Sequence, residues 1–256
     1  MSPGYDILRE EALLGDTLVI LPVYNEFPIL TCTLKAIRAH WAGNLLVVDD
    51  ASTDESGGYL ERREGLTLIR NQENEGAGGV LLRGFSYAAE RGYRYAVTMD
   101  SDGQHNAAQI PEFHCRIRHE RADMIWGTRY PGGFTALAEP FRPRQAINRE
   151  ITARLNAVTG WGITDSFCGF RAYKVESLRK LPLREKGYGM FLELAVLAWK
   201  AGLSMKEHPV PLIYLDQTRD FQRQFVDHEV RRRYYHEVID RALAEADRTE
   251  KPEERK

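Results

Sequence analysis

Tyr95-Ala96-Val97-Thr98-Met99-Asp100-Ser101-Asp102-Gly103-Gln104-His105 is the stretch from which the rest of the chain is read. Its first five residues are an apolar run too short for a helix and followed by a polar turn, which predicts a buried strand. Two carboxylates one residue apart then stand at the carboxyl end of that strand. Acidic turns after strands are common, so the pair alone is a weak signal. It does suit one chemistry: Mg2+ or Mn2+ takes oxygen ligands and keeps positions open for substrate phosphates.

Towards the N-terminus, strand and helix patterns alternate. Thr17–Val23 is continuously apolar, as in a parallel strand buried on both faces. It runs into Asn25 and Glu26, and a helix striped by Leu30, Leu34 and Ile37 begins near Pro28, a residue tolerated in a first turn. Residues 45–48 form a second strand, ending in Asp49-Asp50, after which Ser52-Thr53-Asp54-Glu55 reads as a capping box opening a helix. Residues 66–69 form a third strand. Gly76-Ala77-Gly78-Gly79 then leads into a helix with Leu81, Phe85 and Ala88 on one side. This alternation predicts an α/β fold with a mostly parallel central sheet between helical layers. Ligands of such sheets bind at the carboxyl ends of strands, where the polar and acidic groups collect here.

The G-A-G-G turn is not a G-x-G-x-x-G fingerprint and follows the third strand rather than the first, so it argues against a nicotinamide enzyme. Close helix–sheet packing explains these glycines more simply than anion binding does.

Towards the C-terminus the pattern is less regular. Residues 122–126 predict a strand, 144–158 a helix, 189–201 a helix and 203–215 short strands. Residues 131–143 hold Gly132, Gly133 and several prolines, and read as a mobile loop able to close over substrate. Thr164–Tyr173, T-D-S-F-C-G-F-R-A-Y, is rich in aromatic and small residues for a turn. Val226, Val230, Tyr234, Val238 and Leu243 stripe a final amphipathic helix. The expected organisation is one domain over 1–246, with a nucleotide-sugar half at 15–105, an acceptor half at 106–225, a helix at 226–246 and a charged tail at 247–256.

Composition bounds the partners. Of 256 residues 43% are hydrophobic, enough for a large core, and the net charge of −2 provides no global basic field for nucleic acid. Cys32, Cys115 and Cys168 are odd in number and contain no C-x-x-C pair, which argues for a reducing compartment and against a zinc site. The first fifteen residues carry Asp6, Arg9, Glu10 and Glu11 and no signal-peptide core. The expectation is a cytoplasmic protein, free or held at a membrane face.

In order, L-P-V-Y-N-E, V-V-D-D-A-S-T-D, N-E-G-A-G-G-V-L-L-R-G-F, M-D-S-D-G-Q-H, G-T-R-Y and D-S-F-C-G-F-R-A-Y resemble the family 2 glycosyltransferases. The likeness is strongest to the dolichyl-phosphate or polyprenyl-phosphate mannose and glucose synthases, and spans about residues 17–215. It implies a GT-A fold and a metal-dependent, inverting transfer of a hexose from GDP-mannose or a UDP-hexose to a lipid phosphate. By motif position, the resemblance puts Pro22, Tyr24 and Glu26 on the nucleotide pocket and Val48 and Asp50 beside the base. Asp100 and Ser101 would contact the nucleotide, Asp102 and Gln104 would hold Mg2+ or Mn2+, and Arg129 would meet the diphosphate or the acceptor phosphate. Arg144, Arg219 and Arg223 are the further cations expected around an acceptor phosphate. Ala51 departs from the usual glycine of the second motif, Gln217 stands where an Arg is expected, and Asn148 replaces a common Ser.

Other residues keep two readings. His105 orients the acidic loop or ligates the metal. Arg171 anchors its loop through a carboxylate such as Asp165, or touches substrate. Arg231-Arg232-Arg233 is a solvated helix face, or sits on anionic lipid. Transfer to a sugar or small-molecule hydroxyl, an idle nucleotide-sugar-binding module and a nucleotidyltransferase are the alternative functions.

Overall fold

The computed structural model describes residues 14–133, 142–213 and 227–249. Seven strands form one sheet in the order β3-β2-β1-β4-β6-β5-β7. They are β1 (Thr17–Val23), β2 (Asn44–Asp49), β3 (Thr67–Arg70), β4 (Tyr95–Thr98), β5 (Met124–Thr128), β6 (Arg171–Lys174) and β7 (Met205–Pro209). β1, β2, β3 and β4 are mutually parallel, as are β5 and β7; β6 runs antiparallel to both neighbours, β4 and β5.

Helices cover both faces, giving three layers. α1 (Ile29–His40) and α4 (Ile110–His119) pack with Val19, Leu21, Val47 and Val97 on one side. On the other side α3 (Gly76–Glu90), α5 (Arg142–Thr159), α7 (Met190–Lys200) and α8 (His228–Thr249) enclose Leu18, Ile20, Leu46 and Trp126. Two further helices, α2 (Ser56–Glu61) and α6 (Val175–Leu178), are short. The alternating burial of Leu18/Ile20 and Val19/Leu21 on opposite faces explains why β1 is apolar throughout.

Three features differ from the sequence reading. β6 begins within the stretch read as a turn, Thr164–Tyr173, and runs one residue past it. The glycines of G-A-G-G accommodate a loop rather than the sheet: a Cβ at Gly76 or Gly78 would overlap the carbonyls of Lys186 and Glu185, and the Gly79 amide donates to Lys186 O at 3.0 Å. Finally, the inward stripe of α8 is Tyr235, Val238, Ile239, Ala242 and Ala246, all buried, while Val230 is 48% exposed. That stripe packs into the core, so it does not form a membrane-binding face. Among the described residues no helix is long and apolar enough to cross a membrane.

Candidate active site

The loops after β1 and β2 are clasped together. Asn25 N donates to Ser52 Oγ at 3.0 Å, and Asn25 Oδ1 accepts from Thr53 N and Asp54 N at 2.8 and 3.2 Å. Ser56 Oγ accepts from the amides of Glu26 and Phe27, and Asp54 Oδ2 also accepts from Phe27 N. The expected capping box is therefore not formed: α2 begins at Ser56, and Ser52 and Asp54 bridge to the neighbouring loop instead. The clasp leaves Tyr24 46% exposed at the end of β1, an aromatic face available to a planar base. Pro22 is half-buried in β1, and its carbonyl accepts from Ser101 Oγ at 2.6 Å. Val48, expected beside the base, is instead wholly buried in the core on the α3 side.

Asp50 is 2% exposed and its carboxylate is already engaged. Oδ1 accepts from Asn71 Nδ2 and Glu75 N, both at 2.8 Å, and Oδ2 accepts from Gly76 N at 2.9 Å. It thus joins the end of β2 to the end of β3 and to the start of α3, whose amide dipoles favour an anion. Its contribution to the wall of the crevice is to hold these three segments in register.

Asp100 and Asp102 follow β4. Asp100 is 44% exposed at its side chain, and Oδ2 lies 2.9 Å from Nε2 of the buried His105. A Cβ at Gly169 would overlap both Asp100 oxygens, so the carboxylate rests directly on the backbone ahead of β6. Burial disfavours the Asp100 anion, but the hydrogen bond and charge of His105, followed by Arg129 and Arg171, hold its pKa below the ordinary value. For Asp102 the balance is reversed: burial first, then repulsion from Asp100, raises its pKa. Asp102 Oδ1 accepts from Gln104 N at 2.9 Å. Two neighbouring carboxylates of which one is destabilised as an anion fit a divalent cation, because the ion relieves that repulsion. Among the described residues no group of three His, Cys, Asp or Glu gathers to hold a metal ion.

Facing these carboxylates is a charged pair set deep in the fold. Arg129, just past β5, forms a two-pronged contact with Asp165, Nε to Oδ2 at 2.6 Å and Nη2 to Oδ1 at 2.9 Å. Asp165 is fully buried and also accepts from Asn148 Nδ2 at 2.9 Å and Phe167 N at 3.1 Å. Burial opposes both charges, yet each sustains the other: Arg129 is held well above its ordinary pKa and Asp165 below its own. Asn148 further accepts from Thr152 Oγ1 at 3.0 Å, so the amide that replaces the usual Ser belongs to a buried network. Arg171 does not pair with Asp165; it donates to the carbonyls of Cys168 and Ser166, both at 2.7 Å. Burial pushes the Cys168 thiol up to about 12, which makes it unreactive.

A third wall was not read from the sequence. The segment 184–189 is pinned by Glu193 Oε2, which accepts from Arg184 N and Glu185 N at 2.9 and 2.8 Å, and by Tyr234 Oη, which accepts from Gly189 N at 3.2 Å. This segment presents Tyr188, whose pKa is raised by burial first and by the Asp100 charge second; Arg231, Glu26 and Arg144 also act on it. These charges therefore lie within electrostatic reach of Tyr188. Arg231 is 4% exposed, whereas Arg232 pairs with Glu150 at 3.6 Å and Arg233 faces solvent, so the triple-arginine run is not one solvated face. Arg219, Arg223, Gln217 and residues 134–141 of the expected lid lie outside the described residues; before that gap, Gly132 and Gly133 take φ of 85° and 107°.

The sheet, with its acidic groups gathered at the carboxyl ends of β1, β2 and β4, defines a GT-A-type α/β enzyme. The chain belongs to glycosyl transferase family 2, whose family model matches residues 18–182. It is 31% identical over 204 residues to an undecaprenyl-phosphate mannosyltransferase of Micrococcus luteus, covering 77% of this chain and 83% of that one. To a polyprenol monophosphomannose synthase of Mycolicibacterium smegmatis it is 32% identical over 205 residues, with 76% of each chain covered. A UDP-N-acetylglucosamine–dolichyl-phosphate N-acetylglucosaminyltransferase of Methanococcus voltae is 27% identical, with 79% and 88% covered. Among solved structures, glucosyl-3-phosphoglycerate synthase of Mycobacterium tuberculosis, crystallised with Mn2+, UDP and glucosyl-3-phosphoglycerate, superimposes with a TM-score of 0.70 at 18% identity, covering 95% and 86%. The protein is a glycosyltransferase.

Proposed function

We propose that this glycosyltransferase moves a hexose from a nucleotide sugar, GDP-mannose or a UDP-hexose, onto polyprenyl phosphate, with inversion and with a divalent cation. The observation that carries the reading is that one segment, 165–171, holds both the Asp100 carboxylate, against Gly169, and the Arg129 guanidinium, through the buried Asp165. Of three relatives, two are named for mannose and one for N-acetylglucosamine, and all three for a polyprenyl or dolichyl lipid, which supports the lipid phosphate more strongly than any one donor.

In this reading Tyr24 stacks on the base and Asp50 fixes the wall around it. Asp102 and the Gln104 side chain would hold Mg2+ or Mn2+, with Asp100 and Ser101 alongside. The bound cation would supply the positive charge that stabilises the departing nucleoside diphosphate. Arg129, kept cationic and oriented by Asp165, meets the phosphate charge from the opposite side. Attack by an acceptor phosphate oxygen on the anomeric carbon, on the face away from the leaving group, inverts the centre. That oxygen is already anionic, so no general base is needed. Outside the acidic pair, two carboxylates that burial keeps more basic, Glu193 and Glu207, are turned to loop amides: Glu207 accepts from Thr164 N at 2.8 Å and Asp165 N at 3.3 Å. Neither is placed to deprotonate an alcohol.

The protein would meet its lipid at the cytoplasmic membrane face through a peripheral contact or a membrane partner, with no nucleic acid involved. The test supplies labelled donor and Mn2+ with polyprenyl phosphate, polyprenol and soluble sugars in parallel. Transfer to the phosphate alone is expected; transfer to polyprenol or a sugar without transfer to the phosphate assigns a hydroxyl acceptor instead. Asp102→Asn should retain the fold and lose Mn2+-dependent donor binding by titration calorimetry. Unchanged Mn2+ dependence removes Asp102 from the metal site.

A further inference from the structure

Arg171 is a fully buried cation without a carboxylate at ion-pair distance among the described residues. Its guanidinium lies between two aromatic rings, 3.7 Å from the Trp126 centroid and 3.9 Å from that of Phe191. Nε donates to Cys168 O and Nη2 to Ser166 O, both at 2.7 Å, while Nη1 meets no acceptor in good hydrogen-bond geometry and the buried Tyr173 hydroxyl is the nearby group that most favours the charge. Burying a charge so incompletely compensated is costly, and an apolar side chain fills such a space at less expense to stability. The contacts indicate what the charge is kept for. Its two acceptors bracket the turn 166–168, which begins beside Asp165, the anchor of Arg129, and ends at Gly169, the surface on which Asp100 rests.

We propose that Arg171 is a positioning residue for glycosyl transfer: by gripping the Ser166 and Cys168 carbonyls it fixes the separation between the Asp100 carboxylate and the Arg129 guanidinium. It touches no substrate and acts through the turn. A planar guanidinium donates to two carbonyls at once while stacked; an ammonium cannot. The two groups it spaces act on opposite sides of the same developing charge, so a small displacement lowers turnover more than donor binding.

This inference rests on the transferase reading, and two measurements on the full chain separate them. The first compares Arg171→Lys with Phe191→Leu, which removes one stacking ring and leaves both carbonyl contacts. Arg171→Lys should lower kcat about 30-fold with donor KM within about threefold, whereas Phe191→Leu lowers Tm and keeps kcat within about threefold. The second is hydrogen exchange at the Phe167 and Arg129 amides, both donors to Asp165. Exchange there should speed up about tenfold in Arg171→Lys and stay unchanged in Phe191→Leu. A wild-type chain that transfers to none of the acceptors, with the exchange difference present, overturns the proposed acceptor and leaves the grip of Arg171 on the 166–168 turn standing. Unchanged exchange in Arg171→Lys, or kcat falling only in proportion to Tm in both variants, overturns the positioning role.

Discussion

Gly169 lies against Asp100 so closely that a Cβ on residue 169 would overlap both carboxylate oxygens. The contact is made because β6 enters antiparallel beside β4, with Thr98 Oγ1 donating to Gly169 O at 2.7 Å. Gly169→Ala should therefore displace Asp100 from His105 while the strands stay paired. A fall in kcat/KM of about 10- to 100-fold with an unchanged circular dichroism spectrum is expected, since an ångström of misplacement has that effect. Activity within twofold of wild type would show that the position of Asp100 is not critical.

Asp50 has two duties that separate by measurement. Asp50→Ala leaves Asn71 Nδ2 and the Glu75 and Gly76 amides without their acceptor. Unfolding in urea should show a loss of about 2–3 kcal/mol, the usual cost of stranding buried donors. Nucleotide affinity should weaken equally with and without Mn2+, because the wall of the pocket shifts and not the metal ligands. Unaltered nucleotide affinity beside the stability loss would confine Asp50 to a structural role.

What the sequence made legible was whatever is local or periodic. Buried parallel strands announce themselves as apolar runs, and Asn25, Asp50 and Asp100 follow them closely, so the sequence placed these polar groups at the carboxyl ends of β1, β2 and β4, where the structure has them. β6 escaped because its four residues include a buried arginine and end in a lysine, which breaks the apolar signal. Arg129 and Asp165 are 36 residues apart, and nothing in either motif announces the other. Arg231 was misjudged for a related reason: successive helical residues point about 100° apart. The stripe read through Val230, Tyr234 and Val238 shares Val238 with the buried face, but that face is centred on Tyr235, Val238, Ile239 and Ala242, and this rotation turns Arg231 inward and leaves Val230 exposed.

His114 links stability to pH. It is partly buried, with Nδ1 3.0 Å from Thr17 Oγ1 and its ring edge-on to Trp41 at 5.2 Å. Burial first, then the nearby Arg118 charge, depresses its pKa to about 4, against an opposing pull from Asp16. Because the folded value lies below the unfolded one, the unfolded chain takes up the proton first as pH falls. Stability is therefore retained above about pH 6.5 and lost on descent towards pH 4, by on the order of 2 kcal/mol. His114→Gln should flatten that segment of the pH–stability curve. Parallel curves for variant and wild type between pH 6.5 and 4 would contradict it.

Ala51 stands at a backbone position that favours glycine. Its φ is +59°, in the left-handed region, where a side chain brings Cβ against the carbonyl at a cost of about 1–2 kcal/mol. The conformation is imposed from both sides. Asp50 N donates to Val23 O at 2.8 Å and Ser52 N to Asp49 Oδ1 at 3.1 Å, so the chain must reverse at residue 51. Ala51→Gly relieves the strain but adds freedom to the unfolded chain, worth about 0.4–1 kcal/mol in the other direction. The balance favours glycine by roughly 0.5–1 kcal/mol, or about 1–4 °C in Tm for a chain of this length. Donor binding should be unchanged, because the hydrogen bonds flanking the turn use the backbone and Asp49, not residue 51. A lower Tm for Ala51→Gly would mean that the surrounding contacts have already absorbed the strain, and that alanine is the better residue at this turn.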